Sequence, residues 1–216
     1  MAENNIAWRR FPLYDYVRYT TAGTNQITFF NVPLGGTDPV SALGKTMEQT
    51  NVQKSGQLGY PFVIHQLRLD VRLLPKTRQP SAISSLTRYT TNDITDVANA
   101  ITNLLGQGNL NIKIGQKSYY DINQPFKMAP AGFWTDFTST TGAGAAAPDQ
   151  AVWVQQPQCK PYALTPSQFI AADQIIQMTV DFPNANCPAL TGLIASADPR
   201  LEIGLILDGY AGFLVQ

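Results

Sequence analysis

The chain has 216 residues, enough for one substantial domain or two small ones, and 44% of them are hydrophobic, so a sizeable core can form. Lys and Arg number 15, as do Asp and Glu, and only 14% of residues are charged, against about 25% in ordinary soluble domains. This balance argues against a dedicated nucleic-acid binder, whose affinity comes largely from basic residues on phosphate, and leaves little repulsion between copies.

Residues 1–20 mix Trp8, Phe11, Tyr14, Tyr16 and Tyr19 with Arg9, Arg10 and Arg18, without a clean period, and read as an extended arm ahead of the first clear strand. The opening lacks the apolar segment of a signal peptide, so synthesis in a cytoplasm is expected. "NQITFFNVPLGG" (25–36) reads as a strand closed by turn residues. A polar loop follows, with a helical turn expected near Ala42–Glu48. "YPFVIHQLRLDVRLL" (60–74) alternates oily and polar residues, which predicts a strand with Val63, Leu67, Leu69, Val71 and Leu73 on its dry face. That row also contains His65, the only histidine in the chain.

"NDITDVANAITNLLGQG" (92–108) is the one convincing helix: Asn92 or Asp93 can cap it, and Ile94, Val97, Ala98, Ile101, Leu104 and Leu105 recur at helical spacing. "NLNIKIGQ" resumes strand alternation through Leu110, Ile112 and Ile114. An aromatic-rich loop with Phe126, Phe133, Trp134 and Phe137 follows, then "TSTTGAGAAAPDQ", which reads as a surface excursion. "AVWVQQ" reads as a short strand and "TPSQF" as a connector. "QIIQMTVDFP" is a strong strand, with Ile176, Met178, Val180 and Phe182 on one face. The chain closes on "PRLEIGLILDGYAGFLV", one long strand or two short ones. Many one-sided strands, polar loops and a single inserted helix predict one all-β domain over 1–216. A two-sheet sandwich buries such strands, and long uneven connections favour a jelly roll.

Signals for chemistry are weak. A metal site needs several converging His, Cys or carboxylate ligands, and one histidine with two separated cysteines gives no ligand spacing. His65 is expected to be structural, a core or strand-end residue satisfied by hydrogen bonds. "PVSALGKT" matches the tail of a phosphate loop, but Pro39 stands where its first glycine belongs. Asp93 and Asp96 suit the first turn of the helix, and Asp136, Asp149 and Asp173 lack calcium-loop spacing. Cys159 and Cys187 lie in loop-like text; their spacing leaves a pairing open, and free thiols are the favoured expectation. No catalytic residue, cofactor or metal is therefore expected. The aromatics in irregular text are either core cover or interface, where aromatics and Arg anchor contacts.

The order of an extended arm, "ITFFNVPLGG", "KTMEQTNVQKSGQLGYPFVIHQLRLDV", a helix, "LNIKIGQKSYYDINQPFKMAPAGFW" and "RLEIGLILDGYAGFLV" resembles the jelly-roll major capsid proteins of tailless icosahedral bacterial viruses, including those with an internal membrane. "TNVQKSGQLGYPFVIHQL" carries most of the likeness. The length implies a single roll rather than the double roll of other members. The resemblance implies a virion subunit whose partners are copies of itself, other capsid proteins and, where present, an underlying viral membrane. It further implies that residues 1–20 and 209–216 clamp neighbours. Interface candidates are then Trp8, Arg9, Arg10, Phe11, Tyr14 and Tyr16 in the arm, Phe133 and Trp134 in the aromatic loop, and Tyr210 and Phe213 at the end. A viral spike or fibre head, or another carbohydrate-binding sandwich, is the alternative reading.

Overall fold

The computed structural model describes residues 6–19, 24–39, 42–73, 108–119, 134–139, 150–155, 161–182 and 201–214. They form ten strands: β1 (Ile6–Arg18), β2 (Gln26–Phe29), β3 (Phe62–Leu73), β4 (Asn109–Ile114), β5 (Lys117–Ser118), β6 (Trp134–Ser139), β7 (Gln150–Gln155), β8 (Tyr162–Ile170), β9 (Ile176–Asp181) and β10 (Leu201–Leu214). The chain is all-β in these residues, and the helix expected over 92–108 lies outside them, as do both cysteines. Among the described residues no helix is long and apolar enough to cross a membrane.

Two four-stranded antiparallel sheets carry the fold, in the orders β1-β10-β3-β8 and β2-β9-β4-β5, and β6 pairs with β7 in a separate ribbon. The pairing is nested: β1 with β10, β2 with β9, β3 with β8, β4 with β5. The first strand thus meets the last, the second meets the last but one, and successive strands mostly switch sheet. One apolar cluster draws on both sheets, with Leu13, Ile64, Leu67, Leu69, Leu205 and Leu207 from the first and Ile27, Phe29, Leu110, Ile112, Met178 and Val180 from the second.

The alternation that predicts β4 and β9 is what builds them. Leu110, Ile112 and Ile114 are buried between half-exposed or exposed neighbours, and Ile176, Met178 and Val180 face them across the β4–β9 ladder. Three expectations about which segments are strands need correction. "TPSQF" lies inside β8, and Trp134–Ser139, read as loop, is a strand. Of the segment read as an arm, Ile6–Arg18 is β1, thirteen residues in unbroken register with β10 from Ile6↔Leu214 to Arg18↔Glu202.

β3 departs from simple alternation. Its buried residues are Phe62 and Ile64, then Leu67 and Leu69, so the inward row changes parity between 64 and 67. On β10, Ile64 faces Gly209 while Gln66 faces the adjacent Asp208, which leaves His65 as the extra residue of a β-bulge. One inserted residue moves every later side chain to the other face. Val63 and His65, expected in the dry row, are therefore half-buried positions of the outer face. Gly209 is required at this kink: a Cβ there would sit 1.9 Å from the Val63 carbonyl oxygen.

Candidate functional site

The bulge aims His65 at the outer surface of the β1-β10-β3-β8 sheet. Its Nδ1 lies 2.7 Å from Ser167 Oγ, and its ring meets Tyr210 edge-on at a centroid distance of 5.3 Å. β8 bends away opposite the bulge: Ile64 faces Gln168 and Gln66 faces Ala163, and the residues between include Ser167. Arg10, His65, Gln66, Asp208, Gly209 and Tyr210 line an open cleft of about 230 Å³. Asp208 is paired with Arg68, Oδ2 to Nε 2.9 Å. His65 thus has a hydrogen-bond partner, but the setting is a surface bulge and not a core row. A serine beside a histidine is half of a hydrolytic arrangement, and no carboxylate among the described residues is hydrogen-bonded to His65 to orient it. Among the described residues no three His, Cys, Asp or Glu side chains gather to hold a metal ion.

The interface candidates divide sharply. Trp8 is 46% exposed, Tyr210 is 44% exposed, and Arg9 and Arg10 are also exposed. The cross-strand rung Arg10–Tyr210–Val63–Phe169 runs over the outer face, and Phe169 at its end is 54% exposed. Trp8 pairs with Gly212 one rung away on the same face. Phe11 and Phe213 meet on the other side of this end of the sheet, packed edge-on at 6.3 Å with Tyr60 between 5.4 and 6.0 Å from each. Phe133 lies outside the described residues, and Trp134 begins β6.

Tyr14 and Tyr16 belong to the subunit's own fold. Tyr14 Oη donates to the Met47 carbonyl at 2.5 Å. Tyr16, 1% exposed, crosses Gly204 on β10 and donates to Asp70 Oδ2 on β3 at 2.5 Å. A Cβ on Gly204 would lie 2.2 Å from the Tyr16 ring, so the missing side chain is the groove the ring occupies. As an interface anchor Tyr16 is thus corrected: its surface is already spent inside one chain.

The loop after β2 explains why this half of β1 is covered. Tyr16 N donates to Gln49 O at 2.7 Å, Asn51 N to Tyr14 O at 3.4 Å and Tyr14 N to Asn51 Oδ1 at 3.0 Å, so the loop pairs along the free edge of β1. Buried charges fasten it. Asp15 accepts from Lys45 Nζ and from the Phe30 amide, both at 2.7 Å. On the outer row, Arg18 Nε lies 3.4 Å from Glu202 and 3.8 Å from Asp38, and Gln49 Nε2 donates to Glu202 at 2.7 Å. Lys45, the lysine of the phosphate-loop-like text, is thus committed to Asp15. Burial pushes the Asp15 carboxyl above its ordinary value, with Lys45 and the Phe30 amide pulling it back.

Sequence reasoning missed Ser167 as the partner of His65 and Asp208 as part of the cleft, because "TPSQF" reads as a connector and the bulge rests on Ile64 pairing with Gly209 and Gln66 with Asp208 in distant text. "LDGYAGF" held one signal: glycines beside an aspartate and a tyrosine in a strand mark a bulge or a close backbone approach. Compared with protein families, with curated proteins and with solved structures, the chain matches none of them.

Proposed function

We propose that this chain is a single jelly-roll subunit of an icosahedral virus shell and acts by self-association. The observation that carries the jelly-roll part of the reading is the nested pairing of β1 with β10, β2 with β9, β3 with β8 and β4 with β5, in sheets ordered β1-β10-β3-β8 and β2-β9-β4-β5. A long antiparallel hairpin rolled across two sheets produces this pairing, and the β6–β7 ribbon then reads as an insertion between the fifth and sixth strands of the roll. Capsid proteins, lectins and cupins share the architecture, so the fold does not choose among them. A cupin centre calls for clustered histidines, and this chain has one. Exposed Trp8, Phe169 and Tyr210 on one sheet face, with zero net charge, favour contact between copies.

Light scattering on the purified chain tests the reading. Defined multimers or closed shells are expected at micromolar concentrations, and a monomer throughout that range would overturn it. The cleft beside His65 favours a second reading, a carbohydrate-binding head: an exposed tyrosine ring flanked by Arg10, Gln66 and Asp208 supplies both a stacking face and hydrogen-bonding groups. Glycan binding by a monomeric chain would favour it instead.

A further inference from the structure

We propose that the free edge of β1 at Ile6–Arg10 pairs antiparallel with the same edge of a second copy, with Trp8 opposite Trp8 at the two-fold axis. The proposal rests on the self-association reading and names the contact. β1 is the end strand of its sheet, and its pairing with β10 has no bulge. At Tyr14 and Tyr16 the backbone groups point away from β10, toward the loop that covers them. Because the register is unbroken and alternation has period two, the amides and carbonyls of Ile6, Trp8 and Arg10 also point to that edge. Pro12 belongs to the same series, and its missing N–H costs the β10 ladder nothing. Asn51 donates to the Pro12 carbonyl at 2.7 Å, and here the loop cover ends. Among the described residues no backbone or side-chain partner continues it along Ile6–Arg10, and the exposed side chains there agree. An uncovered strand edge is a template for another strand.

The side chains choose both the occupant and the register. With Trp8 opposite Trp8, Arg10 faces Ile6 and Arg9 faces Ala7, so no like charges are opposed. Shifted one step, Arg9 would face Arg9 and Ile6 would face Pro12, which has no amide to give. A further step would set Arg10 against Arg10. The favoured register also uses five residues from each copy and stops short of Pro12, where the loop takes over. The product is a continuous eight-stranded sheet, β8-β3-β10-β1 joined to its symmetry mate, made by an isologous contact.

Cysteine crosslinking of the full chain tests this, with the crosslinked peptides identified by mass spectrometry so that Cys159 and Cys187 can stay. Ala7 and Arg9 are a non-hydrogen-bonded pair in the proposed register, where Cα atoms approach to about 4.5 Å, within disulfide reach. Mixing an Ala7→Cys chain with an Arg9→Cys chain should give a 7–9 disulfide, and neither chain should link to itself. A 9–9 or 7–7 disulfide would overturn the register. Multimers without any of these links would overturn the edge contact and leave self-association standing, whereas a monomer without links would overturn both. Trp8→Pro separates backbone pairing from side-chain contact: it removes an edge amide that β10 does not use. It should weaken association roughly 30-fold more than Trp8→Ala, and equal effects would count against strand pairing.

Discussion

The two halves of β1 share one strand and one ladder to β10, yet they live in different environments. From Leu13 to Arg18 the strand is covered on both sides: Leu13 reaches the common core, Asp15 is buried on Lys45, and Tyr16 and Arg18 are sealed under the loop carrying Asp38 and Gln49. From Ile6 to Arg10 the same strand lies open, with Trp8, Arg9 and Arg10 at the surface. The difference teaches that aromatic richness does not report interface by itself. Tyr16 and Trp8 sit on the same outer row, eight residues apart, and only the loop over one of them makes it core.

The widest break in that comparison comes from truncation. Deleting residues 1–16 removes Leu13, Asp15 and Tyr16 and strips the covered edge of β10, so cooperative unfolding by circular dichroism should be lost. Deleting residues 1–8 takes Ile6–Trp8 from the open half and spares the covered one, and should leave a cooperative transition. Were the longer deletion to melt normally, the covered half would not be core.

Asp15→Asn comes next. It leaves Lys45 buried without its counter-charge, and breaking such a pair costs about 3–5 kcal/mol, measurable by urea unfolding. The native carboxyl is raised above its ordinary 3.8 by burial. The folded chain therefore keeps this proton at pH values where the unfolded chain has released it. Its contribution to stability is full below 3.8 and is lost as pH rises through the raised native value. Asp15→Asn should flatten that part of the pH–stability curve; an unchanged slope would place the linkage elsewhere.

Gly204→Ala is smaller. The new methyl would press on the Tyr16 ring, and overpacking of this kind costs about 1–3 kcal/mol. Pairing it with Tyr16→Ala should recover much of the loss relative to simple addition, and strict additivity would separate the two residues. The smallest effect on folding belongs to Trp8→Ala, within about 0.5 kcal/mol because the ring is half exposed. Its consequence should appear in sedimentation, as weaker association. A drop in stability as large as that of Gly204→Ala would erase the contrast between the two halves.

β4 and β9 were legible because each is a short strand with one dry face, and an apolar residue at every second position has only one reading there. β1 was not legible as a strand. Its inward row is Arg9, Phe11, Leu13, Asp15 and Val17, and its outward row is Trp8, Arg10, Pro12, Tyr14, Tyr16 and Arg18, so neither row is uniformly oily or polar. The charges make sense only beside Lys45, Asp38 and Glu202, which come from distant text. The candidate contact residues could be named as exposed aromatics and arginines, but which of them stay at the surface depends on where the loop lies.

By itself, then, the sequence determined the all-β character of the described residues, the dry faces of β4 and β9, and the absence of excess charge, because these follow from composition and local period. The tertiary structure alone decided the parity change at His65, the meeting of His65 with Ser167 and Tyr210, and the division of β1 into buried and open halves. Each depends on partners about 15 to 190 residues away, on a glycine where a backbone must approach, or on a loop that covers one end of a strand and not the other, and a one-dimensional pattern contains none of those distances.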